Sequence, residues 1–203
     1  MNENFIDFYQ MLNNLKYVYR FSESKFMEKE STAAHSWRLS IMAATVAKQL
    51  NLTLDCHHAV KIALVHDIAE AITGDIDCRL VAGNETSKCQ KKENENAAMH
   101  KLTEKLPPDI QKEIIELWKE YAEASTIEAR YIKALDKIEA ILQLVESRHM
   151  NMTNPEIIAV CADAHIKKIP ELEPLLHIVK LKLKQEFEKG HIEWKKEYNY
   201  CLE

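Results

Sequence analysis

Glycine and proline are scarce in this chain of 203 residues, which contains only three glycines and five prolines. A sandwich or barrel of many short strands needs more of both, because its frequent turns depend on them. Apolar residues recur instead at helical spacing along almost the whole chain. The pattern shows no strand, internal repeat or low-complexity segment. The sequence therefore predicts an all-α fold.

Other absences argue against whole classes of function. The five cysteines are an odd number with no Cys-x-x-Cys pair, which favours reduced thiols over disulfides or a zinc site. The net charge is −5 and no basic stretch is interleaved with aromatic residues, so we expect no nucleic acid as the main partner. No signal peptide and no run of about 20 apolar residues is present, so we expect a cytoplasmic protein without a membrane span.

A chain of this length can bury one good core but is short for two. We expect a single domain over residues 1–203, with its core at about 15–150 and C-terminal helices at 154–203 packing on it. Helices are predicted to begin near Phe5, after Ser31 or Thr32, after Asp55, near Glu85, at Pro108, near Ile127 and after Asn154. The side chains before several of these starts are of the capping types, and Gly74 stands where the helix after Asp55 would end. Residues 20–31 and 75–85 are expected to be irregular.

Two ionisable residues, His66 and Asp67, stand in the middle of an apolar stretch that is predicted to be helical. Burying an unpaired charge is costly, and an imidazole beside a carboxylate offers a divalent metal two adjacent ligands. His35 and Asp136 lie on two other predicted helices. Taken singly, a buried histidine is usually a hydrogen-bonded core residue and a helical aspartate is usually solvated or a cap. Such explanations would have to hold for all four residues at once, so the set favours a metal site.

The segment 63–70, Ala-Leu-Val-His-Asp-Ile-Ala-Glu, is followed by Thr-Gly-Asp at 73–75. Together with His35 and Asp136, this pattern resembles the HD-domain metal-dependent phosphohydrolases, from about Leu15 to Gln143. Within that superfamily the chain is similar to the branch that contains the 5′-deoxynucleotidases. The resemblance implies a single-domain helical bundle that binds a divalent metal ion.

The resemblance also implies roles for particular residues. The implied metal ligands are His35, His66, Asp67 and Asp136. Glu70 matches the residue that positions or deprotonates water, beside the catalytic metal ligand Asp67. Asp75 matches a residue near the sugar hydroxyl or, with Glu70, a ligand of a second metal in some relatives. Arg20 matches an arginine that contacts the phosphate. Phe21 replaces the tryptophan that follows this arginine in the deoxynucleotidases, so the preference for deoxyribose does not carry over automatically.

These features predict an enzyme that releases phosphate from nucleoside 5′-monophosphates, with deoxyribonucleotides as the expected substrates. One alternative is a hydrolase of nucleoside di- or triphosphates or of another phosphorylated nucleotide. Another is a non-catalytic module that binds a nucleotide or keeps the metal for structure. The oxygen and nitrogen ligands do not distinguish Co, Mn, Mg, Fe and Zn. The long helices are compatible with a homodimer.

Overall fold

The computed structural model describes residues 4–21, 29–76, 85–147 and 154–202. Its helices are α1 (Asn4–Leu12), α2 (Thr32–Gln49), α3 (Cys56–Val65), α4 (Glu70–Thr73), α5 (Glu85–Thr103), α6 (Pro108–Glu123), α7 (Ile127–Glu146), α8 (Pro155–Val160), α9 (Asp163–Ile166) and α10 (Glu173–Lys189). Short 3-10 helices lie at Asn13–Lys16, Pro170–Leu172 and Lys196–Tyr198. The described residues contain no strand, only an isolated bridge between Tyr19 and Ser31. The all-α prediction is therefore confirmed.

Most predicted helix starts agree with the structure. The Ser31 hydroxyl accepts a hydrogen bond from the Ala34 amide at 3.2 Å, and so caps α2. Asp55 accepts hydrogen bonds from two amides of the first turn of α3, both at 3.0 Å. Pro108 opens α6. Asn154 is the N-cap residue of α8 and Pro155 lies in its first turn, as predicted, although the Asn154 side chain makes no capping hydrogen bond. The predicted irregular stretches fall mostly at 22–28 and 77–84, outside the described residues.

The helix predicted to run through His66 to Ile72 is instead interrupted. It ends at Val65, residues 66–69 form turns, and the short α4 begins at Glu70. Within the break, the Glu70 amide bonds to the Asp67 carbonyl, three residues back instead of four. His66 itself still bonds to the Ile62 carbonyl as in a helix, so the tighter winding begins after it, at residues 67–70. Gly74, with φ 71°, follows α4, as a residue of free backbone conformation is needed there.

Two packed clusters of apolar side chains position the site. The larger joins α2, α3 and α7 to the C-terminal helices, with Leu39, Ile62 and Leu135 among its fully buried members. The smaller joins α1, α4, α5 and α6. Val65, the last residue of α3, contacts both clusters, so the turn that follows it lies where they meet. The single-domain organisation stays a prediction, which this shared packing supports. Among the described residues no helix is long and apolar enough to cross a membrane.

Candidate active site

The four residues expected to bind a metal converge from α2, the turn after α3, and α7. Nε2 of His35 lies 3.2 Å from Oδ1 of Asp136 and 3.9 Å from Oδ2 of Asp67. Nε2 of His66 lies 2.9 Å from the same Asp67 oxygen. One ligand atom each of His35, His66 and Asp136 lies within 4.8 Å of the others, and all three side chains are buried.

The two histidines present unpaired nitrogens to this cluster. Nε2 of His35 and Nε2 of His66 are buried and have no hydrogen-bond partner among the described residues. Nδ1 of His66 donates a hydrogen bond to the Ala63 carbonyl at 2.8 Å. Because Nδ1 carries the proton, Nε2 offers its lone pair to whatever lies between the rings and the carboxylates. Buried lone pairs that face ionised carboxylates are the donor set of a divalent cation, so the residues fit a metal ion.

Neighbouring charges shift the pKa values of two residues of the cluster, His35 and Asp136. Burial and Arg20 lower the pKa of His35, but the carboxylates of Asp136 and Glu139 outweigh them and raise it to about 9, so a metal ion at Nε2 would displace a proton from that nitrogen. Burial opposes ionisation of Asp136, yet Lys137, His35 and Arg20 hold its pKa well below the usual range. The site therefore concentrates negative charge that a cation would neutralise.

Asp136 divides its two oxygens between different partners. Oδ2 accepts hydrogen bonds from the Tyr121 hydroxyl at 3.0 Å and from the Lys137 ammonium at 2.7 Å. Oδ1 faces His35. The ring of Tyr121 also packs edge-on against His66, with centroids 4.9 Å apart. Asp136 is thus held by α6 and α7 with one oxygen left for the metal.

Glu139 is a buried residue of the site that the sequence analysis missed. Its carboxylate is fully buried and accepts hydrogen bonds from Nδ1 of His35 at 2.5 Å, from Nε of Arg38 at 2.6 Å and from Nη1 of Arg20 at 3.1 Å. Glu30, also missed, lies 3.2 Å from Arg20 and 3.4 Å from Arg38. The available signal was a glutamate in the apolar part of α7, one turn beyond Asp136. Glu30, His35 and Glu139 have metal-like spacing too, but the two arginines already neutralise these carboxylates.

Glu70 lies near the residues expected to bind the metal, but its own hydrogen bond is to a different residue. It is buried, and it accepts a hydrogen bond from the Thr32 hydroxyl at 2.8 Å. Burial, followed by the charges of Asp67 and Asp75, raises its pKa well above the usual range. Burial thus gives this carboxylate a higher affinity for a proton than a solvated glutamate has.

Arg20, Phe21 and Asp75 lie together on another side of the site. The Phe21 amide donates a hydrogen bond to Oδ2 of Asp75 at 3.2 Å, and Phe21 has a φ of 54°. A left-handed backbone is uncommon for a bulky residue, so this contact holds a strained conformation in place. The Arg20 guanidinium lies 5.4 Å from the centre of the Phe21 ring. Burial, opposed by Arg20 and assisted by Asp67, raises the pKa of Asp75.

A cavity of about 330 Å³ opens beside these groups. The residues singled out from the sequence that line it are Arg20, Phe21, His66, Asp67, Glu70, Asp75 and Asp136. His35 lies outside this wall, fully buried. The sequence analysis missed the apolar part of the lining, whose side chains come from α7, α8 and the residue after α8. They are Ala140, Ile141, Leu144, Ile157, Ile158 and Cys161. The cavity is therefore lined by charged and by apolar side chains, and on α7 the apolar ones follow Asp136 by one to two turns.

Known proteins resemble this chain over most of its length. The HD domain family matches residues 12–190. The 5′-deoxynucleotidase HDDC2 of Bos taurus is 39% identical over 149 residues, which cover 70% of this chain and 67% of that protein. The 5′-deoxynucleotidase HDDC2 of Dictyostelium discoideum is 30% identical over a region that covers 70% of this chain and 77% of that protein.

Solved structures agree with the fold. The structure of a predicted metal-dependent phosphohydrolase from Magnetospirillum magnetotacticum has a TM-score of 0.72 and covers 95% of both chains, at 24% identity. The PH0347 protein from Pyrococcus horikoshii has a TM-score of 0.66 and is 26% identical, with 87% of this chain and 99% of that chain covered. At 24% identity, the first of these supports the fold alone.

Proposed function

This chain belongs to the HD domain family, and we propose that it is a metal-dependent 5′-nucleotidase that releases phosphate from nucleoside 5′-monophosphates, deoxyribonucleotides above all. The reaction consumes water and yields a nucleoside and inorganic phosphate. The observation that carries the proposal is the pair of buried, unpaired Nε2 atoms of His35 and His66 beside the carboxylates of Asp67 and Asp136. The cytoplasmic location and the homodimer stay predictions.

A divalent ion held by His35, His66, Asp67 and Asp136 would act as a Lewis acid toward the phosphoryl oxygens. The protein groups around it have separate tasks. Glu70, which is not needed to hold that ion, orients the attacking water and in its ionised form accepts the proton, and the raised pKa makes it a stronger base. Arg20, at the cavity wall, adds positive charge near the phosphate. Asp75 and Phe21 border the sugar.

The shape of the cavity supports a nucleoside as the remainder of the substrate. Its volume of about 330 Å³ is at the lower end of the range for small-molecule sites. The apolar wall built by Ile141, Leu144 and Ile158 lies in the same cavity as the charged groups. A monophosphate extended across it would place the flat face of its base against apolar side chains and its phosphate beside the charged groups.

The test is phosphate release from ribo- and deoxyribonucleoside mono-, di- and triphosphates, each with Mn, Co and Mg. The Asp67→Ala variant serves as the inactive comparison. The exposed Asp109, outside the cavity, provides a matched control as Asp109→Ala. We expect release from 5′-monophosphates by the wild type and the control, and none by Asp67→Ala. Release only from longer phosphates, or no release while metal is bound, would contradict the proposal.

A further inference from the structure

The cationic side chains that line the cavity differ in whether a carboxylate lies close enough to form an ion pair with them. They are Arg20, Lys91, Lys92, Lys133 and Lys137. The Lys137 ammonium contacts Asp136 at 2.7 Å, and Lys91 lies 3.6 Å from Glu95. Arg20 contacts Glu30, Glu139 and, at 3.6 Å, Asp136. Lys92 is exposed, so water already solvates its charge.

Lys133 differs from these cations. It is half-buried on α7, one turn before Asp136. No carboxylate of the described residues lies within ion-pair distance of its ammonium, which instead rests 4.3 Å from the centre of the Tyr121 ring. Burial and Lys137 lower the pKa of Lys133, and the charges of Asp136 and Asp67 offset them only in part. A partly desolvated cation in a cavity favours an anionic ligand.

The position of this ammonium relates it to the metal residues. The Tyr121 ring beneath it also packs against His66, and the Tyr121 hydroxyl bonds to Asp136. One aromatic ring therefore contacts both the ammonium and two of the residues expected to hold the metal. Lysine binds phosphate as a point charge, without the fixed fork of arginine, and so suits an anion whose orientation other groups determine.

We propose that Lys133 binds the phosphate group of the substrate across the face of Tyr121. This inference rests on the proposed function and identifies a further substrate-binding residue in the same site. Arg20 is the other candidate for this contact, but it also holds buried carboxylates in place. Lys133 has no such structural duty among the described contacts, so its loss should weaken phosphate binding without disturbing the metal residues.

The test compares Lys133→Met, which removes the charge at similar length, with Lys133→Arg, which keeps it. The exposed Lys119 on α6, outside the cavity, gives the control Lys119→Met. On metal-loaded protein we would measure the dissociation constants of inorganic phosphate and of the product nucleoside by calorimetry, the Kd for Mn²⁺, and KM and kcat for a deoxynucleoside monophosphate. Lys133→Gln replaces the Met variant if that variant does not fold.

We expect Lys133→Met to weaken phosphate binding and to raise KM about tenfold, as for loss of one charge-assisted hydrogen bond. Nucleoside binding, the Kd for Mn²⁺ and the behaviour of Lys119→Met should stay at wild-type values, and Lys133→Arg should recover most of the phosphate affinity. Unchanged phosphate binding in Lys133→Met, equal loss of nucleoside binding, or failure of the wild type to bind phosphate would overturn the inference. Absence of turnover in a wild type that binds phosphate through Lys133 would contradict the proposed reaction alone.

Discussion

Glu139 determines how His35 faces the site, since Nδ1 of His35 donates a hydrogen bond to Oε2 of Glu139 over 2.5 Å. The two residues are 104 positions apart in the sequence, and both side chains are fully buried. Burial opposes ionisation of Glu139, but His35, Arg20 and Arg38 lower its pKa to about 2. An ionised acceptor at Nδ1 keeps the proton on that nitrogen and makes Nε2 a better metal ligand.

Replacing Glu139 by glutamine should therefore weaken metal binding. The amide oxygen can still accept from Nδ1, but without a negative charge it makes the imidazole a poorer ligand. We expect the Kd for Mn²⁺ to rise about 10- to 100-fold, as for loss of other groups that orient metal ligands. Titration calorimetry measures it. Glu146→Gln is the matched control, because Glu146 also contacts Arg38 but lies at the exposed end of α7. Equal metal affinity in the two variants would refute this role of Glu139.

Glu70→Gln should separate metal binding from turnover. The substitution keeps the shape of the side chain and a group that can contact Thr32, but it removes the proton acceptor. We expect kcat to fall by about 10²- to 10⁴-fold, the usual contribution of a general base, while the protein still binds metal. Steady-state kinetics and metal analysis of the purified variant measure the two effects. A variant with wild-type kcat would remove Glu70 from the mechanism.

Local chemistry explains which parts of the fold were predictable. Ser31 and Asp55 cap their helices through their own side chains, so the signal lies within a few residues. The break after Val65 gave no such signal, because a tighter turn leaves the apolar spacing through Ile68 intact. The sequence therefore predicts one continuous helix at the place where the structure ends α3 and winds more tightly through residues 66–69.

The same distinction applies to the site. His66 was recognisable because an ionisable residue in an apolar stretch requires a partner. Glu139 stands in an equally apolar stretch, but its partners Arg38 and His35 come from α2, about a hundred residues earlier. These contacts form only because α2 packs on α7, and a single sequence does not show which residues of the two helices come close together. The unmatched charge of Lys133 is visible only in the structure for the same reason.

Arg20→Ala should affect stability as well as substrate binding. The guanidinium is largely buried and contacts Glu30 and Glu139, so its removal leaves Glu30 with Arg38, and Glu139 with Arg38 and His35. We expect the free energy of unfolding to fall by about 2 kcal/mol or more, because breaking a buried ion pair leaves an uncompensated charge. Urea unfolding measures this loss, and inhibition by inorganic phosphate measures the effect on binding. Wild-type stability of the variant would contradict the structural role of Arg20.

His165 should make the folded protein less stable in mild acid. Burial, with Lys137 and Lys133 acting in the same direction, lowers its pKa from 6.5 to about 4. Between these values the unfolded chain takes up a proton at this position and the folded protein does not, so stability falls as the pH falls through that window. One such proton contributes at most about 1.4 kcal/mol per pH unit.

The slope of stability against pH should be smaller in His165→Gln than in the wild type, and His100→Gln, at an exposed position on α5, is the control for replacement of a histidine. Urea midpoints between pH 7.5 and 5.5, taken with a chelator so that metal release does not contribute, measure it. Parallel curves for the wild type and His165→Gln would show that His165 is protonated equally in both states.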